Sequence, residues 1–94
     1  MQAVLINIPC PNKKEAQKLC KDLLEQDLCT TAKIYENVHL MWKHEGKEVG
    51  GDQVVIISLK TTDLNVMNIH KYMHEHHSWG TPCVEVMPII NDLC

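Results

Sequence analysis

The hydrophobic positions change period along the chain, and each change marks an element. Gln2–Ile8 alternates around Val4, Ile6 and Ile8, the two-residue period of a half-buried strand. Pro9, Pro11 and Asn12 break that run. Asn12 followed by Glu15 forms an N-x-x-E variant of the capping box, which predicts a helix start. Ala16, Leu19, Cys20, Leu23 and Leu24 then recur at helical spacing and carry the helix to about Gln26. Thr30–Ile34 and Val38–Trp42 are rich in β-branched and aromatic residues and predict one long strand, bent near Glu36-Asn37. Polar Lys43–Gly51, with Gly46, Gly50 and Gly51, is a hairpin connection, and Gln53–Lys60 is the next strand. Thr61-Thr62-Asp63 supplies caps for a second helix, striped by Val66, Ile69 and Met73 and ending near His76-His77. Gly80 and Pro82 break the chain again before a last strand over Cys83–Ile89.

The order βαββαβ predicts an α+β, ferredoxin-like sandwich: an antiparallel four-stranded sheet with two helices on one face, as a single domain over residues 1–94. One feature goes beyond the fold. Val55, Ile57 and Leu59 are expected to face the helices, yet Val54 and Ile56 make the opposite face apolar too, before Ser58 and Lys60. The last strand repeats this, with Val84 and Val86 on one side and Cys83, Met87 and Ile89 on the other. A two-layer domain leaves one sheet face wet, which calls for polar alternation. Its near absence, with no further helix to cover that face, predicts self-association.

Composition narrows the function. The chain has 94 residues, 45% of them hydrophobic and 22% charged, which fits a small globular domain that gains from reinforcement. No apolar run approaches the roughly twenty residues of a membrane span. Met1 leads straight into a strand-like segment without a secretory leader pattern, so an intracellular, cytoplasmic chain is expected. All nine basic residues are lysine, against twelve acidic ones. An arginine-free, net-negative domain with few aromatics is a poor nucleic-acid binder. The five cysteines are odd in number and show no C-x-x-C spacing, which predicts free thiols packed as small hydrophobes, with Cys94 exposed.

The sharpest chemical signal is histidine. His70, His74 and His77 stand at i, i+4 and i+7 on the second predicted helix, and an i, i+4 imidazole pair can chelate one ion. Imidazole suits copper and zinc. Histidine near a helix C-terminus is also favoured by the helix dipole without any ligand. Lysines 13, 14, 18 and 21 read as the solvated face of the first helix, and Trp42 and Trp79 as core or interface anchors. No nucleophile–base pair, paired carboxylates or Gly-rich phosphate loop can be named, so no catalytic residue is expected.

Leu59-Lys60-Thr61-Thr62 followed by His76-His77-Ser78-Trp79-Gly80-Thr81-Pro82 resembles the CutA family, the divalent-cation-tolerance proteins. That family's pattern has a Lys-Thr ending the third strand and a His-Pro-Tyr-x-x-Pro segment before the last. Lys60-Thr61, His77 and Pro82 match, while Ser78 replaces the proline and Trp79 the tyrosine. Ala16, Leu23-Leu24 with Leu28, and Trp42 with Glu45-Gly46-Lys47 extend the resemblance over nearly the whole chain. Two departures stand out. Thr31 occupies the position of the family's cysteine, with Cys29 two residues earlier. The family continues past the last strand, where this chain stops at Cys94, so a divergent or shortened member is expected.

The resemblance implies a ferredoxin-like fold, a compact homotrimer, and a link to copper and other divalent metals without established catalysis. Three functions follow as expectations. The first is a non-enzymatic, trimeric protein of divalent-metal tolerance, taking copper or zinc on His70, His74 and His77. The second is a trimer similar to the PII signalling proteins, binding a small effector in an inter-subunit cleft lined by Lys60, His77 and Trp79. The third is an assembly module that anchors another protein, as some animal CutA members are connected with localising acetylcholinesterase.

Overall fold

The computed structural model describes residues 1–93; the expected exposure of Cys94 lies outside the described residues. The elements are β1 (Ala3–Cys10), α1 (Lys13–Glu25), β2 (Thr31–Trp42), β3 (Gly50–Thr62), a 3-10 turn (Asp63–Asn65), α2 (Val66–His76) and β4 (Glu85–Pro88). The strands form one antiparallel sheet in the order β2-β3-β1-β4. Both helices pack on one face of it. Val4, Ile6 and Ile8 of β1 and Val55, Ile57 and Leu59 of β3 meet Ala16, Leu19 and Leu23 of α1 and Ile69, Tyr72 and Met73 of α2 in one buried cluster. Each large aliphatic side chain taken fully out of water there contributes about 1.5–3 kcal/mol. The expected ferredoxin-like α+β sandwich is the observed fold.

Local signals explain most boundaries. The Asn12 side chain accepts the Glu15 backbone N–H at 2.8 Å and caps α1. The helix ends in a Schellman motif: Leu28 N–H reaches the Leu23 carbonyl and Asp27 N–H the Leu24 carbonyl, with Asp27 at φ 57° where glycine is usual. β2 bends where expected. The register slips between Tyr35 and Val38, and Asn37 takes a positive φ. The hairpin strand starts earlier than expected, at Gly50, which pairs with Trp42; the indole lies so close that a Cβ there would stand 2.9 Å from its Nε1, so the position calls for glycine.

Three expectations are corrected. Pro9 does not end β1, which runs to Cys10 and pairs Pro9 with Ile56. Ala3, two residues before Leu5, accepts from Ile89 across the β4 edge, so the odd residues of β1 turn their backbone groups to that side. β4 pairs only as far as Asn7, and the missing N–H of Pro9 therefore faces a flank with no strand to bond. Secondly, no side chain of Thr61-Thr62-Asp63 caps a helix. Asp63 Oδ1 instead accepts the Gln2 N–H, and Thr61 Oγ1 donates to the Leu28 carbonyl at 2.7 Å. Thirdly, the last strand shrinks to Glu85–Pro88. Of the two readings given to Trp42 and Trp79, 42% and 46% exposure sets aside the core and leaves the interface anchor.

Candidate functional site

Three places gather the chemistry singled out above. The first is the flank of β1 beyond the end of β4. His77 closes α2 with an extended backbone, so its ring leaves the helical line and turns into the protein. There it is buried, and Nε2 lies 2.8 Å from the Pro9 carbonyl, the backbone acceptor that β4 leaves unpaired. Nδ1 accepts the Trp79 N–H at 3.1 Å. These two bonds define one neutral tautomer, with the proton on Nε2. Glu15 completes the cluster from the first turn of α1. Instead of reaching back to Asn12 as a full capping box does, its Oε2 accepts from the Ser78 hydroxyl at 3.1 Å and lies 3.6 Å from His77 Nδ1. The arrangement clamps the loop after α2 onto the end of β1 and the start of α1.

The second place is α2 itself. His70 is half-buried and His74 exposed, one turn apart on the same flank of the helix. His77 does not join them, because both of its ring nitrogens are already bonded inside. Among the described residues, no group of three His, Cys, Asp or Glu side chains is placed to hold a metal ion. The three-imidazole set read from the i, i+4, i+7 spacing is therefore corrected within one chain: the spacing holds only while the backbone stays helical, and His77 is where the helix stops. Near its end α2 is tied to α1. The Tyr72 hydroxyl donates to Asp22 Oδ2 at 2.7 Å, and the His76 ring lies over Tyr72 at 4.4 Å. That hydrogen bond, with help from Lys18, holds the Asp22 carboxyl below its usual range.

The third place is the sheet face away from the helices. Leu5, Tyr35, Ile56 and Met87 lie on it by strand alternation, with Tyr35 half-exposed. Lys60 is also on this face and ion-pairs with Asp92. Together with Cys29, Thr61 and Asn65 they line a shallow pocket of about 240 Å³. Lys60 pairs with Leu5 near the start of β1, whereas His77 sits at Pro9 near its end and on the helix side. Lys60 thus shares no cleft with His77 and Trp79 inside one chain; the rings of His77 and Trp79 do stand together, at 5.1 Å.

Three of the described cysteines behave as packed hydrophobes. Cys10, Cys20 and Cys29 are buried free thiols and Cys83 is an exposed one. Burial pushes the Cys10 thiol up to about 12 and the Cys20 thiol to about 11, which keeps both as inert neutral thiols at neutral pH.

Comparison with known proteins decides what frame this geometry belongs to. A family model described as CutA1 divalent ion tolerance protein matches residues 4–93. The chain belongs to the CutA family. It is 30% identical over 84 residues to a divalent-cation tolerance protein CutA of Archaeoglobus fulgidus, covering 89% of this chain and 80% of that one. The solved structure of a CutA from the same organism, described as periplasmic, superimposes with a TM-score of 0.88 at 26% identity over 97% of this chain and 87% of that one. The divalent cation tolerance protein of Thermus thermophilus shares the fold at a TM-score of 0.90, with 22% identity over 97% and 87% of the two chains.

Within the CutA frame, two of the residues that carried the resemblance, Thr61 and His77, tie neighbouring elements together. Thr61 bonds the Leu28 carbonyl and accepts from Asn65 Nδ2, which docks the exit of α1 on the end of β3. His77 satisfies the flank of β1. Sequence reasoning missed Glu15 as the residue that receives Ser78, and Asn7 as a polar break in an apolar strand. Both left a signal. Glu15 stands at the capping position, and Asn7 alone interrupts the apolar run Val4–Ile8.

Proposed function

We propose that this CutA-family chain is a non-enzymatic homotrimer that binds divalent metal, copper first, in metal tolerance. The observation that carries the reading is the sheet face opposite the helices. It presents Leu5, Tyr35, Ile56 and Met87 with no helix over them, in a chain already placed in the CutA family. An apolar face of this kind on a small domain is covered by association. Three copies arranged about one axis cover it without leaving an open end. His70 and His74 are the imidazoles left to a metal, since one turn of helix separates them and neither is buried. Two donors from one chain are fewer than a closed site requires, so further donors come from solvent or from a second chain. The relatives' description as divalent-cation-tolerance proteins supports the metal link, and a cytoplasmic location belongs to the same proposal.

Native mass spectrometry with and without one equivalent of Cu(II) tests this reading. A trimer taking up copper, with uptake lost in His70→Ala/His74→Ala, is expected. A trimer that takes up none contradicts the metal half, and a single chain at micromolar concentration contradicts the assembly half.

A further inference from the structure

The middle of the open sheet face is largely apolar, Lys60 with its partner Asp92 aside, and one polar row crosses all four strands. The pairing registers place Lys33 of β2 opposite Ser58 of β3, Ser58 opposite Asn7 of β1, and Asn7 opposite Glu85 of β4. Tyr35 and Ile56 flank this row on one side, and Leu5 and Met87 on the other. Two things about the row are unfinished within one chain. Asn7 Oδ1 is a buried acceptor with no hydrogen-bond partner among the described residues, a destabilising condition unless something relieves it. Lys33 and Glu85 carry opposite charges at the two opposite edges of the sheet, exposed and in no ion pair among the described residues. Three strand spacings, about 14 Å, separate their backbones, too far for a direct pair.

Resting on the self-association proposed above, we infer that this row sets the register between copies: Lys33 at the β2 edge of one copy pairs with Glu85 at the β4 edge of the next. The topology agrees. With neighbours antiparallel throughout the order β2-β3-β1-β4, β2 and β4 run in opposite directions. A β2 edge laid beside the next copy's β4 therefore continues the antiparallel pattern and keeps the rows aligned. One row's positive end then meets the next row's negative end, a head-to-tail contact of the kind that closes into a ring. The ammonium brought to Glu85 has three donors, and it arrives on the side where Asn7 lies next in the row. A two-residue slip between copies, the smallest that keeps the pleats in phase, sets Lys33 beside Met87 instead of Glu85 and leaves Asn7 unanswered. A lone polar residue in an apolar interface is a known way of selecting one register over its neighbours.

Charge exchange tests the inference. Lys33→Glu, Glu85→Lys and the double variant are compared with the unaltered chain by native mass spectrometry and sedimentation, with circular dichroism to show that each folds. Each single variant is expected to weaken assembly by at least about tenfold through like-charge contact, and the double variant to restore it. Single variants that assemble as the unaltered chain does overturn the inference and leave the charges as simple edge protection. A double variant as weak as the singles overturns it too. Asn7→Leu is expected to retain assembly but to populate more than one stoichiometry; a single, unchanged stoichiometry overturns the part given to Asn7. An unaltered chain that never assembles overturns the self-association itself, an outcome the variants cannot be confused with.

Discussion

The two faces of the same sheet are built from neighbouring residues of the same strands and end in different places. Ile57 is fully buried under α1, while Ile56 one residue earlier faces away from both helices. Ile6 is fully buried, while its neighbours Leu5 and Asn7 look outward. The helix-facing set is uniformly apolar, which is what folding asks for: volume filled, with no direction required. The outward set mixes apolar side chains with a polar row through its middle and with Lys60, which Asp92 holds. Such a row adds little to the stability of a single chain and much to the choice of one partner geometry. Hydrophobic content is therefore a poor guide to which face is the core. The side chains that interrupt it separate the folding face from the one proposed to associate.

Several substitutions sharpen this contrast. The largest effect is expected on the covered face. Ile57→Ala removes a fully buried side chain and lowers stability by about 2–5 kcal/mol whatever the protein concentration. Ile56→Ala on the open face is expected to lower the melting temperature by an amount that depends on protein concentration, since it acts through association. Denaturant and thermal unfolding over a hundredfold range of concentration separate the two.

His77→Ala is next. It leaves the buried Pro9 carbonyl and the Trp79 N–H without partners, at a cost of about 1–3 kcal/mol, and leaves Cu(II) uptake unchanged if His70 and His74 are the ligands. Calorimetric titration and unfolding of the same sample check both halves. A loss of copper without a loss of stability would return His77 to the metal.

The tie between the helices carries a pH signature. The Tyr72 hydroxyl depresses the Asp22 carboxyl, so its contribution is fully present above the usual carboxylate range and is lost as pH falls through the folded value. Tyr72→Phe is expected to flatten the acid limb of the melting-temperature profile and to leave the neutral region nearly unmoved. The smallest effect is at the α1 cap, where Asn12→Ala costs about 0.5–2 kcal/mol, read from the urea midpoint.

The elements, their order and the covered core were legible because each rests on a local period: alternation in β1 and β3, helical spacing at Ala16, Leu19 and Leu23, a cap at Asn12. What was not legible depended on where the chain meets itself. The strand through Pro9 is tolerated only because β4 stops at Asn7, and a single sequence does not show where a partner strand stops. The histidine trio does not converge within one chain for the same reason. The i+7 position is a ligand position while the helix lasts, and His77 turns inward to a carbonyl that β4 leaves open. The second helix-start signal misled because Thr61 and Asp63 found tertiary partners in Leu28 and Gln2. The apolar second face was visible from Val54 and Ile56, whereas the polar row across it emerged only from the registers that bring Lys33, Ser58, Asn7 and Glu85 into line.

Sedimentation velocity of Ile56→Asp beside the unaltered chain tests most directly the claim that the outer sheet face exists for association. The account predicts an unaltered chain that sediments as a trimer and a variant that sediments as a folded single chain of 10.8 kDa. An unaltered chain that stays single at tens of micromolar, or a variant that assembles as well as its parent, would contradict it.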